Sequence, residues 1–257
     1  MPAVHPAAWL LLGLLAPGAV PAAGLPSQSP SAETIERLLE DEAAPFATRV
    51  SAVRQIEAAL AAGTDAGRAG ALALLHLRAL RWLLASVPMD GSRHEPYRSW
   101  LTSHEALVVY DEPGGRWILS SGWIWSVHDL HRATAAAEPI AWLAVENRLP
   151  GECEGYAPCY AFTLDLLSGE YLRRHPDGAH AGDAADRIRA VLDEALRLQA
   201  DPELRIDVAQ DCADLAKSLD ALRSALVAST ADTRGAALAS VDALRAYCAQ
   251  GRTSARP

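Results

Sequence analysis

The sequence has little positive charge. Among its 257 residues, 23 are Lys or Arg and 32 are Asp or Glu, which gives a formal net charge of −9 at pH 7. Proteins that bind nucleic acids need a basic surface to displace the counterions of the phosphate backbone. The composition therefore argues against a nucleic-acid partner.

Motifs attached to a specific reaction are also missing. The sequence contains no Gly-x-Ser-x-Gly motif and no phosphate-binding loop. Neither His94-Glu95 nor His104-Glu105 extends to the His-Glu-x-x-His pattern of zinc peptidases. The single Asn, Asn147, is followed by Arg-Leu and is not a glycosylation acceptor. The sequence therefore has no motif of a nucleophilic hydrolase or of a nucleotide-binding protein. Nothing in the sequence indicates a cofactor.

Residues 1–23 have the pattern of a secretory signal peptide. An apolar block at Ala7–Ala16 precedes a small-residue stretch, and cleavage is expected after Ala22 or Ala23. The usual basic segment is missing, since no Lys or Arg precedes Arg37. A membrane anchor is the alternative, but it needs about 20 apolar residues. We therefore expect an exported protein with no transmembrane span in the mature chain.

Apolar residues recur at helical spacing over most of the mature chain. Only Leu107–Tyr110 and Trp117–Leu119 indicate strands, and they flank a Pro-Gly-Gly turn. The predicted fold is therefore mainly α, built of helical hairpins, with one small β-hairpin near 107–119. A Pro/Ser linker at 24–31 is expected to lead into a helical domain at 32–200. Helices are predicted at 33–41, 47–62, 66–86, 121–132, 138–147, 160–174, 182–199, 206–228 and 233–249, with a polar connection at 86–100 and a disordered tail at 251–257.

The last two helices predict a C-terminal hairpin at 201–250. Cys212 and Cys248 lie equally far from its turn, about 27 Å along each arm, so an antiparallel pair places them opposite each other. Four cysteines allow three connectivities, and this geometry leaves Cys153 to pair with Cys159. Loop-closure entropy would make the long crosslink worth about 3.8 kcal/mol and the short one about 2.4 kcal/mol.

The loop around the first two cysteines is the candidate binding surface. It carries two carboxylates, Glu152 and Glu154, and two aromatic side chains, Tyr156 and Tyr160. Aromatic residues are enriched in binding patches. The alternative is that both tyrosines pack the loop onto the next helix. If the loop is extended at the two carboxylates, they project to the same side, as a pair of catalytic carboxylates in a hydrolase could.

A metal site is the other enzymatic alternative. His128 and His131 lie three residues apart on a predicted helix, so both could bind one metal ion, with Asp129 or a distant carboxylate completing the set. This spacing predicts a metal-dependent hydrolase only if further ligands converge on the two histidines.

One local resemblance concerns residues 169–191. A helix there is expected to end at a His-Pro turn containing Pro176, and small residues open the next helix at Ala181, Ala184 and Ala185. This pattern resembles the junction between repeats of tetratricopeptide-like periplasmic proteins of Gram-negative bacteria. The resemblance implies an array of stacked helical hairpins, a form that offers concave binding surfaces.

A second resemblance extends over residues 110–190. This region is similar to uncharacterised exported bacterial proteins that carry a Pro-Gly-Glu-Cys-Glu-Gly-Tyr motif, which occupies residues 150–156. The resemblance implies a periplasmic or secreted bacterial protein and brings no activity with it. We therefore expect a non-enzymatic helical scaffold of the cell envelope that binds a protein or peptide partner.

Overall fold

A computed structural model of the chain describes residues 32–199 and 211–254, and it is mainly helical. The predicted signal peptide and linker, the start of the predicted hairpin helix 206–228, and residues 255–257 of the predicted tail lie outside these ranges. Among the described helices, none is both long enough and apolar enough to cross a membrane.

Three helices form the base of the N-terminal half. They are α1 (Ala32–Leu39), α2 (Phe46–Ala61) and α3 (Ala66–Leu84). Asp65 caps the N-terminus of α3, because its side chain accepts a hydrogen bond from Arg68 N at 3.0 Å and so satisfies a free amide of the first turn. Both α1 and α2 pack against α3. Helix α3 is central because most of its girth is apolar and buried, including Leu75, Leu77, Leu80, Leu83 and Leu84.

The predicted polar connection at 86–100 is wrong at its C-terminal end. A 3-10 turn at Gly91–Arg93 leads into helix α4 (Tyr97–Ser103). Trp100 and Leu101 are buried, and the Trp100 ring stacks on His104 with 4.1 Å between centroids. The helix has only seven residues, too few for helical periodicity to show in the sequence, and it is held by the burial of these two side chains.

The predicted β-hairpin is confirmed. Strands β1 (Val108–Asp111) and β2 (Arg116–Leu119) pair antiparallel, with Tyr110 opposite Trp117. The hairpin packs on α3 through β2, and Leu119 is fully buried there. A two-stranded sheet is marginal alone in water, so this contact with a helix is what stabilises it.

Two helices connect the halves of the molecule. Helix α5 (Ser121–His131) packs against α6 (Ala137–Glu146). Successive residues of α6 point in different directions, so Ile140 contributes to the N-terminal core while Ala141 and Val145 contribute to the C-terminal core. Helix α6 is therefore shared by both cores, and the contact between the halves is made by packed side chains.

The C-terminal half begins with a continuous helical stretch that changes from α-helix to π-helix and back to α-helix. Helix α7 (Ala157–Leu164) continues through a π-helical segment (Asp165–Gly169) into α8 (Glu170–Arg174). A Cβ at Gly169 would lie 3.1 Å from Leu222 Cδ2, so the missing side chain permits close packing at this point. Helix α9 (Ala181–Leu198) returns after a short turn.

Two further helices complete a four-helix bundle. Helix α10 (Asp211–Ala228) lies beside α7 and α8, and α11 (Arg234–Ser254) lies beside α9 and α10. The sulfurs of Cys212 and Cys248 are bonded across α10 and α11, with Cα atoms 5.5 Å apart, the pair that the hairpin geometry predicts. Helix α11 includes residues 251–254, so this part of the predicted disordered tail is helical.

Candidate functional site

The loop between α6 and α7 is closed by a disulfide. Cys153 and Cys159 are bonded, with Cα atoms 5.4 Å apart, again the predicted pair. Because Cys159 lies in the first turn of α7, the bond ties the loop to a helix that packs against α10. Gly151 and Gly155 adopt positive φ angles of 101° and 85°, which glycine tolerates, and they let the loop turn sharply.

The structure separates the four predicted surface residues into two groups. Glu152, Glu154 and Tyr156 are exposed, with 43% of Tyr156 accessible. Tyr160 is half-buried, and its hydroxyl accepts a hydrogen bond from Gly155 N at 3.4 Å. The packing alternative therefore describes Tyr160, whereas Tyr156 presents its ring to solvent.

The loop is not extended at the two carboxylates. Glu154 has a φ of 45°, in the left-handed region. A residue in this conformation turns the chain, so the alternation of an extended strand is lost between Glu152 and Glu154. The premise that placed both carboxylates on one side as a catalytic pair is therefore wrong.

Two exposed apolar residues next to this loop were not among the predicted surface residues. Phe162 is 54% exposed and Leu166 is 39% exposed. They lie four residues apart on the α7 stretch and so share a face. The signal was present in the predicted helix 160–174, because its other apolar residues, Ala161, Leu164, Leu167 and Leu172, share the opposite, buried side.

A groove of about 380 Å³ lies between the loop and α10. Tyr156, Pro158 and Phe162 line one wall, and Ala213 and Lys217 of α10 belong to the other. We call the exposed surface formed by Glu152, Glu154, Tyr156, Tyr160 and Phe162 the Cys-loop face. It combines an apolar groove with polar residues at its rim, which is the usual anatomy of a binding patch.

The rim of the Cys-loop face is acidic. Desolvation of the Tyr156 hydroxyl raises its pKa, and the nearby carboxylates of Asp211 and Asp214 raise the pKa further. Glu152 and Glu154 lie on the same loop and are exposed. Asp214 therefore lines the groove and Asp211 lies near its Tyr156 side, whereas Glu152 and Glu154 line the adjoining pocket of the loop. Lys217, the one lysine of the whole sequence, also lines the groove.

One of the two histidines predicted as metal ligands has different partners. His128 is 4% exposed, and its Nε2 lies 2.9 Å from Nε2 of His175, close enough for one ring to donate a hydrogen bond to the other. Its Nδ1 lies 3.1 Å from Asp129 Oδ1 and 3.0 Å from Arg174 Nη1. Both nitrogens of His128 are therefore engaged, and its contact across the helices is with His175 rather than with His131.

Charged groups around this pair are also engaged. Arg174 forms ion pairs with Asp129 and Glu170, and its guanidinium lies 5.0 Å from the Trp125 ring centroid. Burial would raise the pKa of Asp129, but hydrogen bonds from His128 and Arg174 lower it below its usual value. We call His128, Asp129, Arg174 and His175 the boundary cluster, because it joins α5 to the end of α8. Within residues 32–199 and 211–254, no group of three or more His, Cys, Asp or Glu side chains is arranged to hold a metal ion.

Comparison of the chain with protein-family models, with curated proteins and with solved structures finds no match. The geometry of the Cys-loop face and of the boundary cluster therefore has to indicate the function.

Proposed function

We propose that this protein is an exported, non-enzymatic binding protein of the bacterial cell envelope, and that the Cys-loop face binds a protein partner. One observation carries the proposal: Tyr156 and Phe162, two large apolar side chains, are exposed together along one groove. Contiguous exposed apolar surface with a polar rim is characteristic of interaction sites. Aromatic side chains in such a groove are the usual anchors of binding energy.

The charge of the rim indicates the chemistry of the partner. Asp214 lines the groove, Asp211 lies near Tyr156, and Glu152 and Glu154 are exposed on the adjoining part of the loop. Complementary charge speeds association and selects among partners. The partner segment is therefore one that places an apolar side chain in the groove and Lys or Arg side chains against these carboxylates.

The disulfide supports this role because it restrains the loop before binding. A flexible loop loses conformational entropy when a partner orders it, and that loss weakens binding. The bond between Cys153 and Cys159 in the first turn of α7 removes much of this freedom in advance. The groove is thus kept open between the loop and α10.

Export and the repeat-like arrangement belong to the same proposal. Two disulfides favour an oxidising compartment such as the periplasm. Side-by-side helical hairpins joined near Pro176 support a tetratricopeptide-like scaffold. Mass spectrometry of the periplasmic fraction should find a mature chain that starts just after Ala22 or Ala23.

Photo-crosslinking in living cells tests the proposed surface. A photoreactive phenylalanine analogue replaces Phe162 in one variant and Val227 in a control variant. Val227 is 57% exposed and also apolar, but it lies near the far end of α10. We expect a recurrent adduct from position 162 only, in which the crosslinked partner peptide contains Lys or Arg beside an apolar residue.

Charge reversal sharpens this experiment. Glu154→Lys in the Phe162 crosslinking variant should lower the yield of that adduct several-fold, because it places a positive charge against basic partner residues. An acidic partner peptide, equal adducts from positions 162 and 227, or no adduct at all would each overturn the proposal.

A further inference from the structure

A second pocket lies in the N-terminal half, away from the groove between the loop and α10. It has a volume of about 460 Å³ and is bounded by the C-terminal ends of α3 and α6 and by strand β2. Leu84, Val87, Trp117 and Ile118 supply apolar lining. This volume and this lining fall within the range of small-molecule sites, which hold about 300–1,000 Å³ and are mostly apolar with a few polar groups.

The polar lining of this pocket is unusually basic for an acidic chain. Arg81, Arg116 and Arg148 all line it, against the single carboxylate of Glu146. A guanidinium group can bind carboxylates with two parallel hydrogen bonds, which gives both energy and orientation. The presence of three guanidinium groups around one apolar pocket therefore needs a physical explanation.

Structural roles account for two of the three arginines. Arg81 lies in the last turn of α3, where its charge complements the helix end, and its Nη1 is 3.1 Å from Glu146 Oε2. Arg116 Nε is 3.5 Å from Oδ2 of the buried Asp111. These ion pairs explain the positions of both side chains without any ligand.

Arg148 is not explained in this way. It follows the end of α6, it is exposed, and its guanidinium forms no ion pair within the part of the chain that the structure describes. The negative end of α6 attracts it only weakly, since such an interaction is worth typically about 0.3–1 kcal/mol at the surface. Its charge therefore remains free to bind a negative group that enters the pocket.

We propose that this pocket binds a small organic anion, with its carboxylate or sulfonate on Arg148 and its apolar body against Trp117 and Ile118. Arg81 lies on the same pocket and adds a second positive charge. The surface ion pair between Arg81 and Glu146 costs little to rearrange, because exposed pairs contribute about 0–1 kcal/mol. This site is separate from the groove proposed for the protein partner, although Arg148 also borders the outer side of the disulfide loop.

Titration of the purified protein with phenylacetate, followed by calorimetry or by chemical shifts, tests this site. Phenylacetamide, which has nearly the same shape but no charge, is the matched ligand. We expect saturable binding of phenylacetate that is at least about tenfold tighter than binding of phenylacetamide, as a charge-assisted hydrogen bond predicts. Equal affinity for the two, or no saturable binding of phenylacetate, would overturn the proposal.

Variants then locate the bound anion. Arg148→Gln should weaken phenylacetate binding at least about tenfold, and Arg81→Gln should weaken it by a smaller factor. Arg132→Gln, at an exposed arginine outside the pocket, is the control and should change nothing. If Arg148→Gln binds like the control while its circular dichroism is unchanged, the site is elsewhere. Arg81 lines neither the groove beside α10 nor the pocket of the disulfide loop. Arg81→Gln should therefore leave the crosslinked adduct at position 162 intact, so failure of the anion site can be distinguished from failure of the partner surface.

Discussion

The Cys-loop face and the boundary cluster both contain residues that the sequence indicates as candidate catalytic or metal-binding groups. The two places differ in whether these side chains already have hydrogen-bond and ion-pair partners. At the boundary cluster both nitrogens of His128 have partners, and Arg174 bridges two carboxylates. On the Cys-loop face, Glu152 and Glu154 are exposed and form no hydrogen bond or ion pair with any residue of 32–199 or 211–254.

This difference separates structural polar groups from available ones. Buried polar groups are stable only when their hydrogen bonds are satisfied, so a satisfied network such as that of His128 is expected wherever helices meet through polar residues. Exposed aromatic and charged side chains need no such partners within the protein, so they remain able to bind another molecule. Residue type alone marked both places as candidate sites, and the contacts distinguish them.

The largest expected effect of a single substitution comes from removing the centre of the boundary cluster. His128→Ala should lower the free energy of unfolding by about 3 kcal/mol, because it leaves a cavity and removes hydrogen-bond partners from His175 and Arg174. Chemical denaturation measures this loss. Leu130→Ala, on the same helix but at a side chain that is 78% exposed, is the control and should change stability by less than about 0.5 kcal/mol. Equal effects of the two variants would show that the cluster is not structural.

Opening the disulfide loop should have a smaller effect on stability and a clear effect on binding. The double variant Cys153→Ala, Cys159→Ala should lower the free energy of unfolding by about 2.4 kcal/mol and reduce the adduct formed at position 162. The double variant Cys212→Ala, Cys248→Ala opens the other crosslink, which joins α10 to α11 and leaves the loop closed, and it should leave that adduct in place if the protein is still folded. Loss of the adduct in both variants would mean that the loop crosslink has no specific role in binding.

Much of the fold could be predicted from the sequence, because long helices repeat their apolar residues many times. The spacing along α10 and α11 predicted both the hairpin and the partner of Cys212, since equal arm lengths in an antiparallel pair fix which residues meet. The prediction was wrong for α4, where one turn of apolar residues gives no period. The alternative of a carboxylate pair required an extended loop, and the positive φ of Glu154 does not meet that condition.

The candidate sites were harder to predict, because they depend on residues that are distant in sequence. His128 and His175 are separated by 47 positions, and only the packing of α5 against the end of α8 brings them together. Phe162 lies on the side of the predicted helix 160–174 opposite most of its apolar residues, and only the packing of that helix shows that this side is exposed. Apolar spacing assigns residues to the sides of a helix, but it does not show which side the neighbouring helices cover.

The smallest expected effect concerns pH, and it tests whether the boundary cluster depends on a neutral imidazole at His175. Desolvation lowers the pKa of His175, and the neighbouring His128 and Arg174 lower it further, against the opposite influence of Glu138 and Asp177. A histidine whose pKa is lowered by folding stabilises the protein fully above its unfolded value of about 6.5. That stability is lost as the pH falls through the lower folded pKa.

His175→Asn isolates this contribution, since it keeps a polar side chain but cannot take up a proton. Its free energy of unfolding should fall less than that of the wild type when the pH is lowered from about 7 to about 5.5. His131, whose pKa burial also lowers, titrates in both proteins and so cancels in the comparison. Asp129 and Glu170 have lowered pKa values and lose their contributions only at more acidic pH. An identical pH dependence in the two proteins would show that the His128–His175 contact tolerates protonation. The neutral state of His175 would then make no contribution to the stability of the boundary cluster.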